Sequence, residues 1–254
     1  MDPWRALETE LDTWAAIGKV ADLWWRDDDA VAVGQQFDRL VSVTETTGLL
    51  LAVIPLHATE ELAAAVTDAA HVKVAQHGYA HINHADREQG VGAWELGLHR
   101  GEQVVLDELD QGRARLELMF PDDYIPVIVP PWNRIDPALF MPAARRGYRG
   151  VSVFGAREMN VQANGFYMVN CHSNPLRWKT GAKFKGPEKT ISELVEHLAN
   201  RRTGAVDPAE STGYLTHHLD MNDDAWAFSK QLVEHINKHT AALWRRDVAT
   251  LFEG

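Results

Sequence analysis

Apolar positions along the chain follow two alternating patterns, stretches of helical period and short continuous runs, and this alternation predicts a parallel sheet wrapped in helices. Asp2-Pro3 followed by Trp4, Leu7, Leu11 and Trp14 predicts a capped amphipathic first helix. Ala21-Asp22-Leu23-Trp24-Trp25-Arg26 reads as the first strand, and it runs directly into Asp27-Asp28-Asp29. A helix over 35–47 precedes Leu49-Leu50-Leu51-Ala52-Val53-Ile54, a run closed by Pro55, as expected for a strand covered on both faces. Thr59 caps the next helix, and Val72-Lys73-Val74-Ala75 forms the third strand. A long helical region over 94–120, with breaks expected at Gly101 or Gly112, leads to a fourth strand over 126–129. A helix over 136–146, strands over 150–154 and 166–170, an irregular loop over 174–189 and a helix over 189–202 follow. A short strand over 213–216 and two helices, 225–238 and 241–252, complete the chain.

Composition narrows the classes. At 254 residues with 45% apolar residues the chain can bury a large core, and a single α/β domain over 1–254 is the simplest reading. A formal charge of −11 argues against a nucleic-acid or anionic-membrane surface, since the basic spots are short and interrupted. Cys171 is the lone cysteine, which excludes disulfides within the chain and a site of several thiolates, and its neighbours suggest a buried strand thiol. No apolar run approaches a membrane span, and the acidic opening lacks the pattern of an export signal, so a cytoplasmic protein is expected.

The chemistry collects at strand ends. Three consecutive carboxylates at 27–29 repel one another and require solvent or a cation. The third strand ends at Gln76-His77-Gly78-Tyr79-Ala80-His81, where histidines four apart share a face if the backbone turns helically. Neutral imidazoles suit zinc, copper, iron or nickel, so the pair is a half-site that needs a further ligand from elsewhere. The fourth strand ends in Pro130-Pro131-Trp132-Asn133-Arg134, the sixth in Cys171-His172-Ser173-Asn174, and the last in His217-His218. Polar strand ends gathered on one rim are what a barrel active site requires.

In this order, Asp-Asp, H-x-x-x-H, P-P-aromatic and L-x-H, the motifs resemble those of the polysaccharide deacetylase family, also called the NodB homology domain or carbohydrate esterase family 4, across roughly residues 21–218. The resemblance implies a distorted (β/α)7 barrel and hydrolysis of N-acetyl groups with one divalent metal ion, zinc first, with cobalt, manganese, nickel or iron(II) also admitted. It implies Asp27 as general base, Asp28, His77 and His81 as metal ligands, and His217 as general acid, with His218 as the alternative. Pro131, Trp132, Asn133 and Leu215 would meet the substrate, with the Trp132 amide helping to hold an oxyanion. Asp29 stands where the family has glycine, which leaves the first motif open to a shift of one residue. The arginine expected before the prolines is replaced by Val129, so its role passes to Arg134 or Arg26 or is lost. The family's fourth motif has no clean match, although Asn174 and Trp178 lie in the corresponding region.

The implied substrate is an N-acetylated sugar or another small amide, with neither nucleic acid nor membrane as partner. Alternatives are a non-catalytic ligand-binding member of the fold, a hydrolase of a non-sugar amide or cyclic imide, and a two-histidine, one-carboxylate iron oxygenase. The oxygenase would be expected on an antiparallel jelly roll, against the strand and helix alternation seen here.

Overall fold

A computed structural model describes residues 2–86, 92–158, 165–179 and 181–253. The strands are β1 (Ala21–Ala30), β2 (Leu49–Val53), β3 (Val72–His77), β4 (Tyr124–Val129), β5 (Gly150–Val151), β6 (Tyr167–Met168), β7 (Cys171–Ser173), β8 (Leu176–Arg177), β9 (Lys183–Phe184), β10 (Thr212–Thr216) and β11 (Ala242–Trp244). The helices are α1 (Pro3–Ala16), α2 (Gln35–Thr44), α3 (Glu60–Thr67), α4 (Glu102–Met119), α5 (Phe140–Arg145), α6 (Pro187–Thr203) and α7 (Asp223–Lys238). All pairings in the main sheet are parallel, in the order β6-β5-β4-β3-β2-β1-β10-β7, with β11 beside the start of β1. The small β8–β9 ribbon is antiparallel and separate.

One stretch closes the ring. Val169 and Cys171 donate backbone hydrogen bonds to Val151 and Val153, while Cys171 and Ser173 stand beside Gly213 and Tyr214 of β10. Taking β6 and β7 as one stave gives seven staves around a curled barrel, the architecture implied by the sequence motifs.

Alternation sorts the side chains. Trp24, Leu50, Ala52, Ala75, Val127 and Leu215 fill the barrel interior, with Val248 and Phe252 packed against them. Leu23, Trp25, Leu49, Leu51 and Tyr214 face outward into the layer shared with α1, α3, α6 and α7. Leu49–Val53 is fully buried along its whole length, which is why it reads as an unbroken apolar run.

The helix over 136–146 is a 3₁₀ turn, Pro137–Leu139, followed by α5, and two other predicted helices depart further. The stretch before Gly101 is a loop ending in a short 3₁₀ turn, Leu98–Arg100, because Gly101 takes φ +89° and breaks the helical path. Gly112, by contrast, stays inside α4: a Cβ there would lie 2.4 Å from Gln76 Nε2, so glycine lets the helix approach the barrel. The final segment forms β11 and a 3₁₀ turn, Val248–Phe252, instead of a helix over 241–252. Pairing of Ala242–Trp244 with Ala21–Leu23 overrides the helical spacing there. Cys171 is buried in β7, where burial pushes its thiol up to about 12. Among the described residues no helix is long and apolar enough to cross a membrane.

Candidate active site

At the carboxyl ends of the staves lies a cavity of about 610 Å³, lined among others by Asp28, Asp29, His77, His81, Trp132, Asn133, Leu215 and His217. Its construction starts with β1. Strict alternation would turn Asp27 and Asp29 to one face and Asp28 to the other. Instead the register with β2 shifts between Asp27 and Ala30, and Asp29 adopts φ +71°. The bulge sends Asp28 and Asp29 into the same cavity, while Asp27 remains directed outward.

The three carboxylates therefore have three environments. Asp29 Oδ1 lies 2.9 Å from His77 Nε2 and 3.2 Å from His81 Nε2. The ligand atoms of Asp29, His77 and His81 all lie within 4.8 Å of one another, a donor set and spacing that suit one divalent ion. Asp28 faces Arg26, whose Nε is 2.9 Å from Oδ1 and whose Nη2 donates to Oδ2 at 3.0 Å. Asp27 accepts from Thr216 Oγ1, His218 N and His218 Nδ1. The expectation of Asp27 and Asp28 as the two acids of the site is therefore shifted by one residue: Asp28 and Asp29 line the cavity, and Asp29, not Asp28, stands beside the histidine pair. Asp28 thus meets the expected cation in Arg26, whereas Asp27 is buried against the Thr216 and His218 donors.

The histidine pair is made by a turn, not a helix. Gly78 and His81 both take φ +57°, folding the chain after β3 so that the rings stand 5.1 Å apart. Glu95 Oε1 accepts the backbone N–H groups of Tyr79, Ala80 and His81, gripping this turn from below. Glu95 is wholly buried and no motif marks it: it lies in the stretch over 94–120 whose spacing predicts a helix, where a surface acid is ordinary. His77 Nδ1 donates to the Val129 carbonyl at 2.9 Å, which leaves Nε2 as the free lone pair towards the cluster. Burial would lower the His77 pKa and raise that of Asp29, but their mutual hydrogen bond and charges reverse both: His77 is raised and Asp29 held well below the carboxylate range.

Of the two arginines that could stand in for the one missing at Val129, Arg26 is the one that contacts Asp28. It is fully buried and also donates to Ser152 O and Oγ at 2.9 and 2.7 Å and to Asn133 Oδ1. Arg134 instead donates to the Gly92 carbonyl and lies over the Trp94 ring. Trp132 and Asn133 both take φ +54°, and the exposed Trp132 ring stands 4.4 Å from His81. Pro131 does not line the cavity; it is buried where a Cβ on Gly78 would meet it at 2.7 Å, so it shapes the turn. Leu215 and His217 line the cavity together, whereas His218 is buried behind it. Trp178 and Asn174 also reach the cavity, the Trp178 ring meeting His217 edge to face at 4.8 Å.

A second cluster, His172, His197 and Glu210, is fully buried away from the cavity. Its imidazoles stack at 3.3 Å, only 13° from parallel, so no ion can lie in the plane of both rings. Gly213 N–H donates to His172 Nδ1, which places the proton of the neutral ring on Nε2, towards Glu210. Burial pushes His172 down to about 4. Glu210, which burial alone would raise, is held at about 2 by the facing histidines and the Arg157 backbone N–H. The cluster is a hydrogen-bonded anion hub.

Comparison with solved structures gives likenesses covering most of the chain. A Mycobacterium smegmatis protein assigned as a polysaccharide deacetylase superposes with a TM-score of 0.61 at 13% identity, covering 89% of this chain and 87% of its own. The chain has the polysaccharide deacetylase fold. The catalytic domain of a peptidoglycan N-acetylglucosamine deacetylase from Eubacterium rectale ATCC 33656 gives 0.51 at 14% identity, covering 90% of each chain. A family 4 carbohydrate esterase from Streptomyces lividans, solved with acetate, gives 0.50 at 13%, covering 86% and 88%. No family model matches the sequence, and no curated protein matches it.

Proposed function

We propose that the protein is a divalent-metal-dependent hydrolase that removes an N-acetyl group from a sugar-containing substrate. The observation that carries this reading is the bulge in β1, which leaves Asp28 against a buried arginine and delivers Asp29 to a two-histidine cluster, with His217 in the same cavity. Asp29, His77 and His81 would hold the ion, which when bound supplies Lewis-acid polarisation of the amide carbonyl and of water. Asp28, oriented by Arg26, takes the proton from the attacking water. The Trp132 backbone N–H donates to the developing oxyanion, and Leu215 packs against the acyl methyl. His217 then passes a proton to the departing amine as the C–N bond breaks, so acetate and a free amine leave. Likeness in fold to a peptidoglycan N-acetylglucosamine deacetylase supports an N-acetylated sugar as substrate. The non-catalytic alternative rests on the missing arginine and the missing fourth motif, and the buried Arg26–Asp28 pair speaks against the first of these.

The test is acetate release from N-acetylglucosamine oligomers with added zinc or cobalt. Asp28→Asn is expected to keep the ion and lose about 10²–10⁴-fold in kcat. Retained turnover in that variant would remove the base assignment, and a zinc- and cobalt-loaded wild type that releases no acetate would overturn the proposal.

A further inference from the structure

Asp27 is the acid the proposed chemistry does not use. It lies on the outward face of β1, where its neighbour two residues back is Trp25 and where an apolar side chain would be expected. Burying a carboxylate there costs several kcal/mol unless it is fully hydrogen-bonded. Its partners come from one short segment. Oδ2 accepts from Thr216 Oγ1 at 2.5 Å and from His218 N at 3.0 Å, and Oδ1 accepts from His218 Nδ1 at 2.5 Å. Asp27 and Thr216 are also direct neighbours in the β1–β10 register. The residue between the two tethered positions is His217.

Among the described residues the His217 side chain has no comparable support: its Nδ1 is buried without a hydrogen-bond partner, and the Trp178 ring edge is its aromatic neighbour at 4.8 Å. Its backbone, at φ −137° and ψ 89°, leaves β10 as the chain turns into the His218–Asp220 3₁₀ turn. What holds that exit is the carboxylate of Asp27, reinforced by Trp25 Nε1 donating to Thr216 Oγ1 at 2.8 Å.

Resting on the function proposed above, we infer that Asp27, Thr216 and His218 form a buried clamp that positions His217 for proton donation to the leaving group. Asp27 and His218 are positioning residues: both side chains are fully buried, and both act on the cavity through the main chain on either side of His217. The clamp also joins the two strand ends that carry base and acid, since Asp28 follows Asp27 directly. It therefore fixes the separation of the two groups across the substrate.

The clamp predicts a dependence on leaving group that a general loss of structure does not. An amine must be protonated as it leaves, whereas 4-nitrophenolate leaves unaided. Wild type, His218→Ala and His218→Asn are compared on an N-acetylglucosamine oligomer and on 4-nitrophenyl acetate, with zinc per chain measured in parallel. His218→Ala is expected to lose about 30-fold or more in kcat on the amide and less than about 3-fold on the aryl ester, with zinc content unchanged. His218→Asn, whose amide nitrogen stands in for Nδ1, recovers most of the amide rate. Thr216→Val removes the bond to Asp27 and the Trp25 bond that reinforces it, leaves both His218 bonds, and shows the same split at smaller size, which keeps the test open if His218→Ala does not fold. Parallel losses on both substrates, or no loss on the amide, overturn the clamp while leaving the hydrolase reading intact. A zinc-loaded wild type inactive on both substrates overturns both.

Discussion

Replacing Arg26 with methionine removes the buried guanidinium that contacts both oxygens of Asp28. The side chains of Arg26 and Asp28 are 0% and 2% exposed, so solvent neither screens the pair nor replaces the lost partner. Arg26 contacts both Asp28 oxygens, both oxygens of Ser152 and the Asn133 side chain, and methionine keeps the length but none of the donors. Breaking a buried pair from one side costs about 3–5 kcal/mol because a charge is stranded, a large part of a domain's stability of about 5–15 kcal/mol. Guanidinium unfolding of wild type, Arg26→Met, Asp28→Asn and the double variant measures this directly. Arg26→Met is expected to lose about 3–5 kcal/mol, and the double variant markedly less than the sum of the singles, with a coupling of at least about 1 kcal/mol. Arg26→Lys falls between, since an ammonium cannot span both carboxylate oxygens. A loss below about 1 kcal/mol in Arg26→Met, or additive single effects, would refute the reasoning.

Gly78→Ala places a Cβ 2.1 Å from Glu95 Oε2 and 2.7 Å from Pro131, at a φ of +57°, so the turn between the histidines must deform. Zinc affinity is expected to fall at least about tenfold by calorimetric titration, and Glu95→Gln to weaken it in the same direction; unchanged affinity in both would separate the turn from the site. For the buried hub, a folded-state His172 pKa of about 4 against an ordinary 6.5 means that the unfolded chain binds the extra proton first. Its stabilisation is therefore complete above pH 6.5 and is lost as pH falls towards 4, by at most about 3 kcal/mol. Melting temperatures across that window should fall less steeply in His172→Asn, which keeps an acceptor for Gly213 N–H; identical slopes would show that His172 takes up its proton at the same pH in the folded and unfolded chain.

The staves were legible because parallel strands buried on both faces leave continuous apolar runs, as at Leu49–Val53. Leu215 and His217, two apart on one strand, could be placed on a common face by alternation alone. The same rule fails at Asp27-Asp28-Asp29: three identical residues offer no contrast, and the bulge with its left-handed Asp29 appears only in three dimensions. Glu95 and Arg26 act through contacts distant in sequence, from a loop to a turn and from one strand to the ends of two others. Ala242–Trp244 is a strand because β1 offers it an edge, a tertiary fact that its helical spacing does not carry.

The central claim, that Asp29, His77 and His81 together hold a catalytic ion, is tested most directly by zinc per chain in wild type, Asp29→Asn, Asp28→Asn and His172→Asn after equilibration with zinc. The account predicts about one ion in wild type, Asp28→Asn and His172→Asn, and its loss in Asp29→Asn. Full zinc in Asp29→Asn, or loss of zinc in His172→Asn, would contradict it and move the ion elsewhere in the molecule.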